Sequence, residues 1–124
     1  MRRLGDLEAV VMNRLWDWQE PTSVRRVVED LQQERPLAYT TIMTVLENLH
    51  RKGFVTREKQ GRAYVYSASE TREQHTASLM GEVLAGSQNR QVALLHFVEE
   101  MSPDEFARLR TVVDQIAPST GGQS

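Results

Sequence analysis

Between Leu37 and Phe54 the chain reads LAYTTIMTVLENLHRKGF. Ile42, Val45, Leu46 and Leu49 recur at helical spacing and make one apolar stripe. Gly53 follows Arg51 and Lys52, as in a helix that stops at a left-handed glycine with cations in its last turn. The beginning of the segment is less ordinary. Tyr39, Thr40, Thr41 and Thr44 crowd the place where the helix starts, near Ala38 or Tyr39, although threonine is a mediocre helix former. On a helical wheel Thr40, Thr41, Thr44 and Asn48 lie largely off the apolar stripe, on a side that turns to solvent or to a partner.

Two helices precede this one. Asp6 is a fitting N-cap for a helix to about Trp18, whose stripe is Leu7, Val10, Val11, Met12, Leu15 and Trp16, and Glu20-Pro21 ends it. Thr22 or Ser23 caps the next helix, where Val24, Val27, Val28 and Leu31 repeat at i, i+3, i+4 and i+7. Arg35-Pro36 stops it, because proline restricts its predecessor. After Gly53 come two β-prone runs, FVTREKQ and AYVYSA, on either side of Gly61-Arg62, and together they predict a hairpin. Three helices followed by a hairpin is the winged helix-turn-helix arrangement, with the Thr-rich helix as its second, groove-entering helix and the hairpin as the wing.

Behind the hairpin the pattern returns to helix. Ser67-Ala-Ser-Glu70 fits a capping box, and Leu79, Met80, Val83 and Leu84 mark a helix ending near Gly86. RQVALLHFVEEM is a further helix, and SPDEF starts the last one with Ser102 as N-cap, Pro103 at N1 and Glu105 at N3. That helix carries Phe106, Leu109, Val112, Val113 and Ile116. The expected fold is therefore mainly α, of the α+β kind: a winged helix-turn-helix domain at residues 1–69, a helical region at 70–117 and a disordered tail at 118–124.

Composition narrows the function classes. At 124 residues and 40% hydrophobic content the chain fits one small domain with an appendage. No apolar run approaches the roughly 20 residues of a membrane span. The N-terminal MRRLGDLEAV lacks an apolar signal core, so a cytoplasmic protein with no membrane insertion is expected. The absence of cysteine excludes disulfides, thiolate metal sites and cysteine redox chemistry. His50, His75 and His96 are widely spaced, match no metal or triad pattern, and read as exposed or interface residues. The scattered glycines form no phosphate loop, so neither an enzyme nor a cofactor nor a bound metal is expected. The net charge of −2 is unevenly spread: residues 1–69 hold eleven Arg/Lys against nine Asp/Glu, and residues 70–124 hold four against eight. A basic front and an acidic back suggest different partners.

The chemistry of the front half suits DNA. Tyr39, Thr40, Thr41, Thr44 and Asn48 are the candidate base-reading residues. A threonine hydroxyl can donate or accept at base edges and its methyl can meet that of thymine, while Asn48 could pair with adenine or reach a phosphate. Arg51 and Lys52 at the helix end and Arg57, Lys59 and Arg62 on the wing are the candidate phosphate contacts, which would make binding salt-dependent. Tyr64 and Tyr66 share one face of their strand and read as core or interface residues.

The segments LGDLEAVVMNRLWDW, PTSVRRVVEDL, LAYTTIMTVLENLHRKGFV, GRAYVYSA and ALLHFVEEMSPDEFARLRTVV together resemble the penicillinase-repressor (BlaI/MecI-type) family of winged-helix regulators, from about Leu4 to Ile116. The resemblance implies a repressor of β-lactam-resistance (antibiotic-resistance) or cell-envelope-stress genes that binds double-stranded palindromic operators as a homodimer. The three C-terminal helices would form the dimer interface, through Leu79, Val83, Leu94, Leu95, Phe97, Val98, Phe106, Leu109 and Val113. Residues 70–117 accord with that role, being apolar, acidic and too short for a convincing core of their own. Relief of repression in the family is linked to a membrane sensor metalloprotease, and the bond matching its cleavage site is His96-Phe97. Well-known members have Asn where this chain has His96. A copper-responsive branch uses C-terminal cysteines, which this chain lacks. Two other readings compete: a winged helix used only to bind proteins, and a regulator with a small effector in a pocket between its two regions, which Trp16 and Trp18 could line.

Overall fold

The computed structural model describes residues 3–121, with side chains described as far as Ile116. Its elements are α1 (Asp6–Trp18), β1 (Thr22–Ser23), α2 (Val24–Leu31), α3 (Tyr39–Lys52), β2 (Val55–Gln60), β3 (Ala63–Ala68), α4 (Arg72–Ala85), α5 (Arg90–Glu99) and α6 (Pro103–Gly121). The fold is mainly α, a winged helix-turn-helix with a three-stranded antiparallel sheet in the order β1-β3-β2. The chain divides into two compact units, residues 1–79 and 80–124, with the boundary inside α4.

In the first unit the helical stripes meet one another. Val11, Met12 and Leu15 of α1, Val24, Val27 and Leu31 of α2, and Ile42, Val45, Leu46 and Leu49 of α3 form one core with Phe54, Val55 and Tyr66. Each large apolar side chain so buried contributes about 1.5–3 kcal/mol. Helix ends follow local chemistry, with two departures from expectation. The N-cap of α1 is Gly5 rather than Asp6, because the Glu8 carboxylate reaches back to the Gly5 N–H at 2.7 Å. Asp6 falls in the first turn, where the helix dipole favours a carboxylate. Ser23 caps α2, its hydroxyl accepting from the Arg26 N–H at 3.1 Å. Thr22 instead pairs with Tyr66 as part of β1, a strand too short to show any periodicity in the sequence.

The C-cap of α3 is Gly53 at φ 87°, and Phe54 N–H donates to Leu49 C=O at 2.9 Å, which turns the chain directly into the hairpin. Gln60 pairs with Ala63, so Gly61-Arg62 is a two-residue tip, and Gly61 at φ 64° supplies the left-handed residue that primed hairpin turns need. The capping box expected at Ser67–Glu70 is displaced. Ala68 pairs with Val55 and Ser69 N–H donates to Phe54 C=O at 2.9 Å, so this stretch stays extended. The reciprocal box forms at Thr71 and Gln74, with bonds of 2.8 and 3.0 Å.

His75 is not the exposed or interface residue expected of it. It is 8% exposed, its ring 5.2 Å from that of Trp16 and edge-on to Phe54 at 5.5 Å. The Trp16 indole N–H donates to Glu70 C=O at 3.0 Å, and Arg72 binds Asp17 at 2.8 Å. The first turns of α4 are thus fastened to α1.

In the second unit α5 is capped by Asn89, which accepts from Val92 N–H at 3.1 Å. Ser102 and Glu105 form the expected capping box on α6, with both bonds at 3.2 Å. The backbone of α6 stays helical to Gly121, beyond the residue where a disordered tail was expected to begin, while residues 122–124 lie outside those described. Among its described residues α5 buries none.

Candidate nucleic-acid interface

On α3 the burial pattern separates two faces. Ile42, Val45, Leu46 and Leu49 are buried, whereas Tyr39, Thr40, Thr41 and Thr44 are exposed. No side chain caps the start of the helix at Ala38. An uncapped N-terminus leaves backbone N–H groups and a positive dipole end for an outside acceptor, next to the hydroxyl groups. Asn48 is half-buried and accepts from the Arg51 guanidinium one turn on. Both of these expected DNA contacts are therefore oriented by each other.

Lys52 has a structural partner. Its ammonium lies 2.9 Å from both oxygens of Glu8, a carboxylate that is buried although it sits in the first turn of α1. Burial alone would push the Glu8 carboxyl up, but the Gly5 N–H and the Lys52 ammonium outweigh it and hold the group below its ordinary range. This pair links the two ends of the helical layer, and 44 residues of sequence separate its members. No local pattern signals such a pair.

The hairpin register sorts the wing charges by face. Val55, Arg57 and Lys59 lie opposite Ala68, Tyr66 and Tyr64, and all six side chains share one face of the sheet. Near the helices this face is core, with Val55 and Tyr66 buried. Toward the tip the same face carries Arg57, Lys59 and the exposed Tyr64. Glu58 and Gln60 take the other face, and Arg62 occupies the exposed tip. The two tyrosines thus part company: Tyr66 is core at 1% exposure, and Tyr64 at 37% is not. The Arg57 guanidinium stacks over the Tyr64 ring, 4.2 Å from its centroid.

All ten expected DNA contacts fall within the first unit, five on α3 as base readers and five on its end and the wing as phosphate contacts. The expected dimer residues fall on α4, α5 and α6. There Val83, Leu94, Leu95, Phe97, Phe106, Leu109 and Val113 are exposed, and Leu79 and Val98 are half-buried. His96 and Phe97 are both exposed on α5, with His96 Nδ1 3.2 Å from Glu99.

A cavity of about 550 Å³ opens beside Trp16, lined also by Leu15, Pro21 and the segment Ser67–Gln74. Trp18 does not line it and is instead covered by Arg26, whose guanidinium lies 4.0 Å from the ring centroid. Among the described residues no cluster of His, Asp or Glu is placed to hold a metal ion, and no helix is long and apolar enough to cross a membrane.

The chain matches the model of the penicillinase repressor family over residues 4–115. It is 41% identical to the transcriptional regulator BlaI of Mycobacterium tuberculosis, covering 99% of this chain and 91% of that protein. It is 28% identical to the methicillin resistance regulatory protein MecI of Mammaliicoccus sciuri, covering 90% of this chain and 94% of that protein. It is 26% identical to the penicillinase repressor of Bacillus licheniformis, covering 91% of each.

Proposed function

The chain belongs to the penicillinase repressor family, a family of DNA-binding transcriptional repressors and not of enzymes, and we propose on that basis that it represses β-lactam-resistance genes as a homodimer on a palindromic operator. The observation that carries the reading is the exposed hydroxyl face of α3, with Tyr39, Thr40, Thr41 and Thr44 outside a core that already accounts for the helix's apolar side. α3 enters the major groove by its N-terminal end, and its hydroxyl and Asn48 groups read base edges. Arg51, Arg57, Lys59 and Arg62 neutralise phosphates and set the register, whereas the Lys52 ammonium is engaged by Glu8. Two copies pair through the apolar faces of α4, α5 and α6, so that two-fold symmetry in the protein meets two-fold symmetry in the operator. Repression ends when a membrane sensor metalloprotease leads to cleavage of the exposed His96-Phe97 bond in α5, in the middle of that dimer surface. The protein acts in the cytoplasm.

The test is binding to duplex DNA from upstream of its own gene and neighbouring genes, at physiological salt, with a random duplex as competitor. Competitor-resistant binding with a two-fold-symmetric footprint is the expected result. Binding that random DNA competes away would contradict it. The cavity beside Trp16 favours one second reading, a regulator that needs a small effector. Operator binding that appears only when a metabolite extract is added would select that reading.

A further inference from the structure

We propose that Tyr64 is a positioning residue for DNA binding, its ring holding the Arg57 guanidinium ready for a backbone phosphate. The inference rests on the reading of Arg57 as a phosphate contact and deepens it. Arg26 lies over Trp18, Arg72 over Trp16 and Arg57 over Tyr64. Arg26 and Arg72 are also held by carboxylates, Arg26 by Glu20 and Arg72 by Asp17. Among the described residues no carboxylate pairs with Arg57. Its side chain is therefore fixed in place without its charge being neutralised.

Geometry explains why stacking serves this purpose. A guanidinium uses its flat face on the ring and keeps its N–H donors, which lie in the plane, free for a phosphate. A free arginine loses much rotamer entropy when it binds, whereas a stacked one has lost it on folding. The hairpin register creates the contact: Arg57 is directly opposite Tyr66, which places Tyr64 at the diagonal position on the same face. Tyr64 keeps 37% of its surface exposed, and its ring centroid is 4.2 Å from the Arg57 guanidinium and 6.4 Å from that of Tyr66.

The experiment uses the full chain and a random-sequence duplex as probe, since phosphate contacts act on every sequence, with affinity measured over a range of salt. Arg57→Ala is expected to weaken binding about tenfold and to reduce the salt slope by about one. Tyr64→Leu keeps an apolar side chain but removes the π face, and it is expected to weaken binding about three- to tenfold with the slope unchanged. Tyr64→Phe is expected to bind like the unaltered protein. In the Arg57→Ala background Tyr64→Leu is expected to cost less than about twofold, because coupled residues do not add. Tyr64→Thr suits an exposed strand and gives a second test with the same expectation should the leucine variant fold poorly. The proposal is overturned if Tyr64→Leu and Tyr64→Thr bind normally, if their loss persists undiminished without Arg57, or if Tyr64→Phe loses as much as they do. If Arg57→Ala changes neither affinity nor slope, the phosphate reading of Arg57 falls and this proposal falls with it.

Discussion

Apolar stripes of the same helical spacing meet different ends in the two units. Among the described residues the fourteen buried apolar side chains all lie between Val11 and Tyr66, in the winged unit. Of the thirteen large apolar side chains left exposed among them, eleven lie between Met80 and Ile116. α1, α2 and α3 cover one another's stripes and are closed off by β2 and β3, whereas the stripes of α5 and α6 stay open. An exposed apolar surface of that extent marks an interaction site in a soluble protein. One unit is thus complete as a single chain and offers a polar, partly basic face. The other has the means to fold as helix but needs a second apolar surface to cover it. Exposed side chains on α3 and the wing are mostly polar and suit water or, on the proposed reading, DNA. Those on α5 and α6 are mostly apolar, and on that reading a second copy covers them.

The sharpest contrast comes from substituting leucines of each unit. Leu46→Ala, at a position with 0% exposure, is expected to destabilise the winged unit by about 2–5 kcal/mol in denaturant unfolding. Leu95→Asp, at 56% exposure, is expected to change that unfolding by no more than about 0.5 kcal/mol. It is instead expected to weaken the dimer at least about thirtyfold in sedimentation. Equal effects of the two on unfolding would erase the distinction between the units.

A smaller effect separates the buried polar group of the winged unit from its exposed ones. Glu8→Gln removes the carboxylate charge from the Glu8–Lys52 pair and is expected to cost about 1–3 kcal/mol. The Glu8 carboxyl is held below its ordinary value of 4.5, so its contribution is complete above that pH and is lost as pH falls through the lower folded value. The Gln variant should therefore lose less stability on acidification than the unaltered chain. Parallel curves for the two proteins would remove Glu8 from the account of stability.

The smallest expected effect lies on the DNA face. Thr44→Ala is expected to lower operator affinity by about 1 kcal/mol, roughly fivefold, and to leave binding to random DNA unchanged. Arg62→Ala is expected to weaken both equally and to flatten the salt slope. Equal losses from Thr44→Ala on the two DNAs would move Thr44 from base reading to general contact.

What could be read from the sequence was what depends on neighbours along the chain. The stripes of α1, α2 and α3, Gly53 as the end of α3, and the hairpin tip at Gly61 all rest on spacings of a few residues. The capping box at Ser102 and Glu105 is of the same kind. β1 was invisible because two residues carry no period, and Thr22 is in a strand only because Tyr66 is beside it. The box at Ser67–Glu70 was misplaced because strand pairing with Val55 overrode a local capping signal. His75 reads as a surface histidine until Trp16 and Phe54, both distant in sequence, close over it. Of the candidate site, the Thr face of α3 was legible from the wheel. The partner of Lys52 was not, since Glu8 lies 44 residues away. The Arg57–Tyr64 stack was within reach, because a tip at Gly61-Arg62 sets the diagonal pair by counting back from it.

The most direct test of the division of labour between the units is the mass and footprint of the complex with its operator duplex, measured by sedimentation and by cleavage protection. Two chains per duplex and a footprint with two-fold symmetry are the expected result. One chain per duplex, with an asymmetric footprint, would contradict a winged unit that reads DNA and a helical unit that pairs two copies.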